Sequence, residues 1–160
     1  MTQPAQIFRL IYASKMTSHT RARLDAELPQ ILAASLRNNS WRGITGLLVA
    51  YRGWFIQALE GEPMAVRAGH RAILSDPRHH DAVILAQGPA ALRAFGRWSM
   101  ATRLLNHQDA AVIGELDRRG PFEPGAYSEA VIMRLLHTVG AAHAATFDAQ
   151  QTPVQMRKAG

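Results

Sequence analysis

An α+β domain is predicted by three features of the 160-residue chain: a strand candidate near its start, a hairpin in its first half, and a helical pattern on either side of that hairpin. The strand candidate is Ile7-Phe8-Arg9-Leu10-Ile11-Tyr12-Ala13-Ser14. The hairpin consists of two apolar runs, 44–50 and 54–59, joined by Tyr51-Arg52-Gly53 as a short connection. Leu28, Ile31, Leu32, Ser35, Leu36 and Asn39 recur at helical spacing before it, and Val66, His70, Ile73 and Leu74 form an apolar stripe after it. Two further strands are expected at 82–87 and 98–104. In such a split β-α-β order the first and third strands are neighbours.

The boundaries follow from local chemistry. Lys15 to Arg23 reads as a polar connection, and Asp25 as the N-cap region of the first helix. Pro29 then falls in the first turn, where its missing N–H has no intrahelical partner. This helix is expected to reach about Arg37, with Asn38-Asn39 at its C-terminal end, a place where Asn also serves as an ordinary terminator. The second helix starts at Glu62-Pro63, with Pro at an early helical position, and stops at Asp76-Pro77, because proline disfavours helix in the residue before it. Asp109 to Arg119 and Tyr127 to about Ala145 read as two more helices, separated by a loop at Gly120 to Gly125. Gln150 to Gly160 is polar and contains a proline, so disorder is expected there.

Strand alternation sorts the side chains. Phe55, Gln57 and Leu59 share one face of the third strand, and Trp54, Ile56 and Ala58 share the other. Phe8, Leu10, Tyr12 and Ser14 fall together on the first strand. A buried primary amide without partners costs roughly 1–3 kcal/mol, so Gln57 either lies near the surface or faces something polar. Tyr12 has an apolar body and a hydroxyl that needs a partner when buried. With Asn39 at the end of the first helix, the polar set is Tyr, Asn and Gln. These groups are neutral, donate and accept hydrogen bonds, and are poor acids or bases near pH 7. They suit reading the edge of a heteroaromatic ligand better than hydrolysis.

Composition bounds the remaining classes. With 48% hydrophobic and 19% charged residues the chain is ordinary for a soluble globular protein, and the absence of Cys excludes disulfides and thiolate chemistry. Met1 to Gln6 carries no cationic start before an apolar core, and no apolar run approaches the roughly 18 residues of a membrane span. A cytoplasmic, soluble protein is therefore expected. The net charge of +6 invites a nucleic-acid partner, but the arginines are scattered and form no dense block. They read better as a solvated face, a few of them free to serve a phosphate. His70, His79 and His80 lack a carboxylate or fourth His at ligand spacing, so no metal is expected, and His70 and His80 read as surface histidines.

Five motifs occur in order: Tyr12-x-Ser14, Asn38-Asn39 before Gly43-Ile44-Thr45-Gly46-Leu47-Leu48, Gln57-x-Leu59-Glu60-Gly61, Asp76-x-Arg78-His79 and Trp98-Ser99-Met100. Together they resemble the BLUF domain, a blue-light sensor that uses FAD, over about residues 6–103. The resemblance implies a ferredoxin-like β-α-β-β-α-β core with an added strand and two C-terminal helices. It implies a flavin-binding photosensory domain at 1–104, a helical cap at 105–147 on the sheet face away from the flavin, and a tail at 148–160. Cofactor contacts are implied for Tyr12, Ile31, Ser35, Asn38, Asn39, Gln57, Ile73, Asp76, Arg78 and His79. Tyr12 and Gln57 are the implied photoactive pair, and Trp98 and Met100 the implied relay, whose alternative reading is simple core filling. FAD is the implied cofactor, with FMN or riboflavin as alternatives. Some relatives carry a basic residue four positions before the Asp; here Ala72 stands there.

No output-enzyme signature is present, so signalling is expected to pass to a partner protein or through self-association as a dimer or larger. Two other classes fit the topology less well. In an RNA- or protein-binding module, Arg52-Gly53-Trp54 would begin an RNA-stacking strand, but Ile56 and Leu59 stand where aromatic rings are needed. An acylphosphatase-type enzyme needs a phosphate-cradling loop, and Ala13-Ser14-Lys15-Met16 lacks its glycines.

Overall fold

A computed structural model describes residues 5–156. Its strands are β1 (Ile7–Met16), β2 (Thr45–Tyr51), β3 (Trp54–Gly61), β4 (His79–Ala90) and β5 (Ala101–Leu104). Its α-helices are α1 (Ser18–Ala22), α2 (Leu24–Ser40), α3 (Pro63–Leu74), α4 (Ala110–Arg118) and α5 (Glu129–Met156). The strands form one sheet in the order β4-β1-β3-β2-β5, antiparallel except for the β2–β5 pair. This is the ferredoxin-like order with one strand added at the β2 edge. No helix among the described residues is long and apolar enough to cross a membrane.

The hairpin closes more tightly than its sequence implies. Tyr51 pairs directly with Trp54, leaving a two-residue turn of Arg52 (φ 48°) and Gly53 (φ 80°). Two positive φ values define the turn whose twist matches that of the flanking strands. Alternation then divides the core as expected. Phe8, Leu10, Tyr12, Leu48, Phe55 and Leu59 face one side, where α2 and α3 cover them. Ile11, Ala13, Leu47, Val49, Ile56 and Ala58 face the other, where Leu116, Ile132, Leu135, Leu136 and Val139 of α4 and α5 pack. The C-terminal helices thus lie on the face away from Tyr12.

Several boundaries differ from the sequence reading. The polar connection after β1 contains the short helix α1, because Thr17 accepts a bond from the Thr20 backbone N–H and caps it. The next helix therefore starts early, and Pro29 is an interior helical residue, leaving the Asp25 carbonyl without its usual donor. That helix also continues to Ser40, so Asn39 lies inside it; the chain leaves through Gly43 at φ 66°, and glycine supplies the stop. The strand expected at 82–87 runs from His79 to Ala90, since β1 offers partners along its whole length, with register shifts beside Tyr12 and Ser14. The strand expected at 98–104 begins only at Ala101. α5 continues through Met156, where disorder was expected from 148; the helix extends past the Ala-rich run 141–145 despite Pro153. Residues 157–160 of the expected tail lie outside the described residues.

Residues 91–100 are irregular, yet they are tied down by buried charge. The fully buried Glu60 carboxylate accepts from the backbone N–H of Ala94 (2.8 Å) and Phe95 (2.7 Å) and pairs with Arg9 Nε (2.8 Å). Arg93 reaches back to Thr45 Oγ1, the Glu60 carbonyl and the Gly43 carbonyl. On α3, Val66, Gly69 and His70 turn inward, so His70 is a core residue rather than a surface one. Burial, aided by the charge of His79, holds its imidazole below the usual pKa.

Two stability effects are expected. Glu60→Ala removes the carboxylate that three donors share, and breaking a buried pair of this kind costs roughly 3–5 kcal/mol; urea unfolding monitored by circular dichroism measures it. For His70 the folded state favours the neutral ring, so its contribution is fully present above the ordinary pKa of about 6.5 and declines as pH falls below it. His143, partly buried, shares the direction through burial and Arg103. Thermal midpoints are expected to drop between neutral pH and pH 5, and His70→Phe to flatten part of that slope.

Candidate functional site

Pairing of β1 with β3 sets Tyr12 opposite Gln57, and alternation turns both toward α2 and α3. The Tyr12 hydroxyl donates to Gln57 Oε1. Gln57 Nε2 donates to Met100 Sδ at 3.4 Å. Tyr12 and Gln57 are 2% and 3% exposed, so the polar partner that a buried Gln57 requires is supplied from within the protein. Burial, reinforced by the Asp76 carboxylate, keeps the Tyr12 phenol far above its ordinary pKa and therefore protonated. Gly46 makes room for this arrangement: a Cβ there would meet the Ala58 carbonyl oxygen at 2.1 Å and the Met100 methyl at 3.0 Å.

Above this floor lies a cleft of about 690 Å³ that opens to solvent. Its walls bring together all ten predicted positions: Tyr12, Ile31, Ser35, Asn38, Asn39, Gln57, Ile73, Asp76, Arg78 and His79. Ile31 and Ile73 stand on different helices, α2 and α3. Asn38 is exposed, whereas Asn39 is buried and its Nδ2 donates to the Ser99 carbonyl at 3.0 Å. Asp76 and Arg78 form a two-pronged pair, with Arg78 Nε and Nη2 on the carboxylate at 2.8–3.1 Å and the Arg78 backbone N–H at 2.9 Å. Burial alone would raise the Asp76 pKa, but the bonds and charge of Arg78 outweigh it and keep the carboxylate ionised. His79 Nε2 lies 2.7 Å from the Ile73 carbonyl, which only accepts, so that nitrogen carries a proton. In the neutral ring, Nδ1 then accepts from Ser14 Oγ, also at 2.7 Å.

Trp98 and Met100 do not share a face. They precede β5, so the two-residue period of a strand does not apply to them. Met100 joins the core beneath the cleft, whereas Trp98 packs on the opposite core and meets the His143 ring edge-on at 5.2 Å. Residues 98–100 therefore pass from one side of the sheet to the other.

The sequence reading missed Ala34, Arg42, Leu48, Phe55 and Gly69 as lining residues. Phe55 was within reach, since it shares a face with Gln57, and Leu48 follows once the register places it opposite Gln57. Arg42 and Gly69 carried no periodic signal. His70 was also missed; its ring sits 5.2 Å from that of Tyr12. Among the described residues no group of three His, Asp or Glu side chains is arranged to hold a metal ion. The donor set fits a planar ligand with apolar faces and a polar edge: aliphatic groups on two walls, neutral amides at the floor, and Arg42 Nη1 buried with no hydrogen-bond partner.

Comparison with known proteins agrees with this geometry. The family described as "Sensors of blue-light using FAD", BLUF, matches residues 7–101. Among solved structures, "BlsA photo-activated state" is 26% identical with a TM-score of 0.74, covering 84% of this chain and 94% of that one. "BlrB - a BLUF protein, dark state structure" is 28% identical with a TM-score of 0.70, covering 86% and 98%. Photoactivated adenylate cyclase subunit alpha of Euglena gracilis is 31% identical over 99 residues, 62% of this chain and 10% of that protein. The blue light- and temperature-regulated antirepressor BluF of Escherichia coli K12 is 32% identical over 91 residues, 57% of this chain and 22% of the relative. The chain thus spans about a tenth of the cyclase subunit and about a fifth of the antirepressor. With most of its sheet inside the matched segment, this chain belongs to the BLUF family of flavin-based blue-light sensors.

Proposed function

We propose that the cleft takes up FAD, with FMN and riboflavin as alternatives sharing the same ring, and that Tyr12 and Gln57 are its light-sensitive switch. The observation that carries this reading is the buried hydrogen bond from Tyr12 to Gln57 at the floor of the cleft. Ile31 and Ile73 would press on the two faces of a planar ring, gaining dispersion and area burial on both. Asn39 and Gln57 would serve its polar edge, with Ser35 and Asn38 on the α2 side and Asp76, Arg78 and His79 completing the wall. A bound flavin would supply the blue-light absorption and transient oxidising power; Tyr12 would lend it an electron and a proton and recover both as the excitation decays, so that no net chemistry remains.

The residues themselves explain how such an event is stored. Gln57 accepts from Tyr12 and donates to Met100. Turning the amide over by rotation, or shifting its proton by tautomerism, reverses this polarity. Met100 Sδ has only lone pairs to offer, so a carbonyl facing it loses that bond. Asn39 holds the neighbouring Ser99 carbonyl, and Trp98 touches His143 of α5. A change at Gln57 is therefore connected to α5 through three consecutive residues. One such bond is worth roughly 0.5–1.5 kcal/mol, enough to bias only an element whose two states lie close in energy.

We read the chain as a sensor rather than an enzyme, with output through a partner protein or self-association as a dimer or larger. The relatives named as cyclase subunits and as an antirepressor support output through other protein machinery. Absorption spectra of the purified protein, before and after blue illumination, test the reading. A flavin spectrum that shifts to the red and recovers in the dark is expected; a colourless protein that refuses added flavin would overturn it. Tyr12→Phe and Gln57→Leu are each expected to retain flavin and lose the red shift, as read in the same spectra. Asn39→Ala is expected to weaken flavin binding roughly 5- to 10-fold, the worth of about one hydrogen bond, in a fluorescence-quenching titration.

A further inference from the structure

The cleft contains two arginines in different electrostatic circumstances. Arg78 is neutralised: Asp76 holds its guanidinium on two nitrogens, and Glu27 lies 3.8 Å from the third. Arg42, on the turn between α2 and β2, has Nη1 buried and without a hydrogen-bond partner. One face of its guanidinium lies over the Trp41 ring, 4.8 Å from the ring centroid. The tip approaches α3 at Gly69, where a Cβ would stand 3.8 Å from Nη1. Gly69 and Ala72, the α3 residues lining the cleft on this side, are both small and carry no charge that competes for the guanidinium.

A guanidinium nitrogen withdrawn from water and left unpaired is costly, more so than a neutral donor. Arg42 as a whole lines an open cleft, so the partner its guanidinium lacks points to an acceptor brought by a ligand. The neutral amides at the floor already answer the polar edge of a ring. Arg42 is on a surface turn, between exposed Trp41 and exposed Gly43, and so stands where the cleft meets solvent. A planar cation with forked donors matches phosphate oxygens.

Resting on the flavin reading above, we propose that Arg42 is the phosphate-binding residue of the cleft and makes it select phosphorylated flavins over riboflavin. The cation comes from the α2–β2 turn, and position 72 on the facing stretch of α3 is Ala.

The test is a set of titrations of the flavin-depleted full chain with riboflavin, FMN and FAD, for the wild type, Arg42→Gln and Arg42→Lys. Wild type is expected to bind FMN and FAD more tightly than riboflavin, with added NaCl narrowing the gap. Arg42→Gln is expected to lose roughly 10- to 100-fold for FMN and FAD, a charged hydrogen bond's worth, while riboflavin stays within about twofold. Arg42→Lys, which keeps the charge without the fork, is expected to fall between them and also serves if the Gln variant does not fold. Equal loss for all three flavins would overturn the proposal and make Arg42 a ring contact or a structural residue; no loss would overturn it as well. Wild-type protein that binds none of the three removes the flavin reading itself, an outcome distinct from wild type that binds all three equally, which removes only the role of Arg42.

Discussion

The register between β1 and β3 is the constraint on which the site depends. Side chains alternate along a strand, so a slip of one residue would turn Tyr12 to the far face and bring Ile11 or Ala13 to the cleft. The register is held from both sides. Apolar side chains cover both faces of β1 and β3, and the two-residue turn at Arg52-Gly53 fixes how β2 meets β3. A slip in either pairing would move a row of apolar residues out of one core and into the other. Within that nearly all-apolar sheet, Tyr12 and Gln57 satisfy one another. Their hydrogen bond thus satisfies two buried polar groups and is, in the function proposed above, the means of switching.

The irregular stretch before β5 gains its importance from the same sheet. Glu60 is adjacent in sequence to the cleft face but points to the opposite core, where its carboxylate ties the backbone at Ala94 and Phe95. Thr45 and Gly43 anchor Arg93 from the neighbouring turn. So fastened, residues 98–100 present Met100 to Gln57 on one side and Trp98 to α5 on the other. A regular strand would have put both on one face. Irregular backbone here is what links the cleft side of the sheet to the C-terminal helices.

The arginines also gain definition. Scattered along the chain, they read as a solvated face, yet several close structural links. Arg9 pairs with buried Glu60, Arg103 with buried Asp109, and Arg78 with Asp76. Arg52 at the hairpin tip reaches Asp117 of α4. Arg9–Glu60 and Arg52–Asp117 join elements distant in sequence and the other two pairs fasten local turns, so part of the positive charge serves the fold, and Arg42 stands apart from them by lining the cleft without a carboxylate.

The sequence by itself determined the order of the main elements and the two faces of the central strands, because alternation and helical spacing are local; ten of the positions that line the cleft followed from the family resemblance that its motifs carry. It also determined that Gln57 needed a polar partner if buried. Only the tertiary structure decided which partner. Met100 reaches Gln57 through a backbone path that no periodicity encodes, and His70 is buried because α3 packs with that face on β1, which a four-residue apolar stripe does not specify. Asn39 falls within the last turn of its helix because the helix runs to Ser40, one residue past the paired Asn, and the chain turns away only at Gly43. Arg42 entered the site from a turn, where there is no period to follow; its role rests on the desolvation of one nitrogen, a property that exists only once the chain has folded.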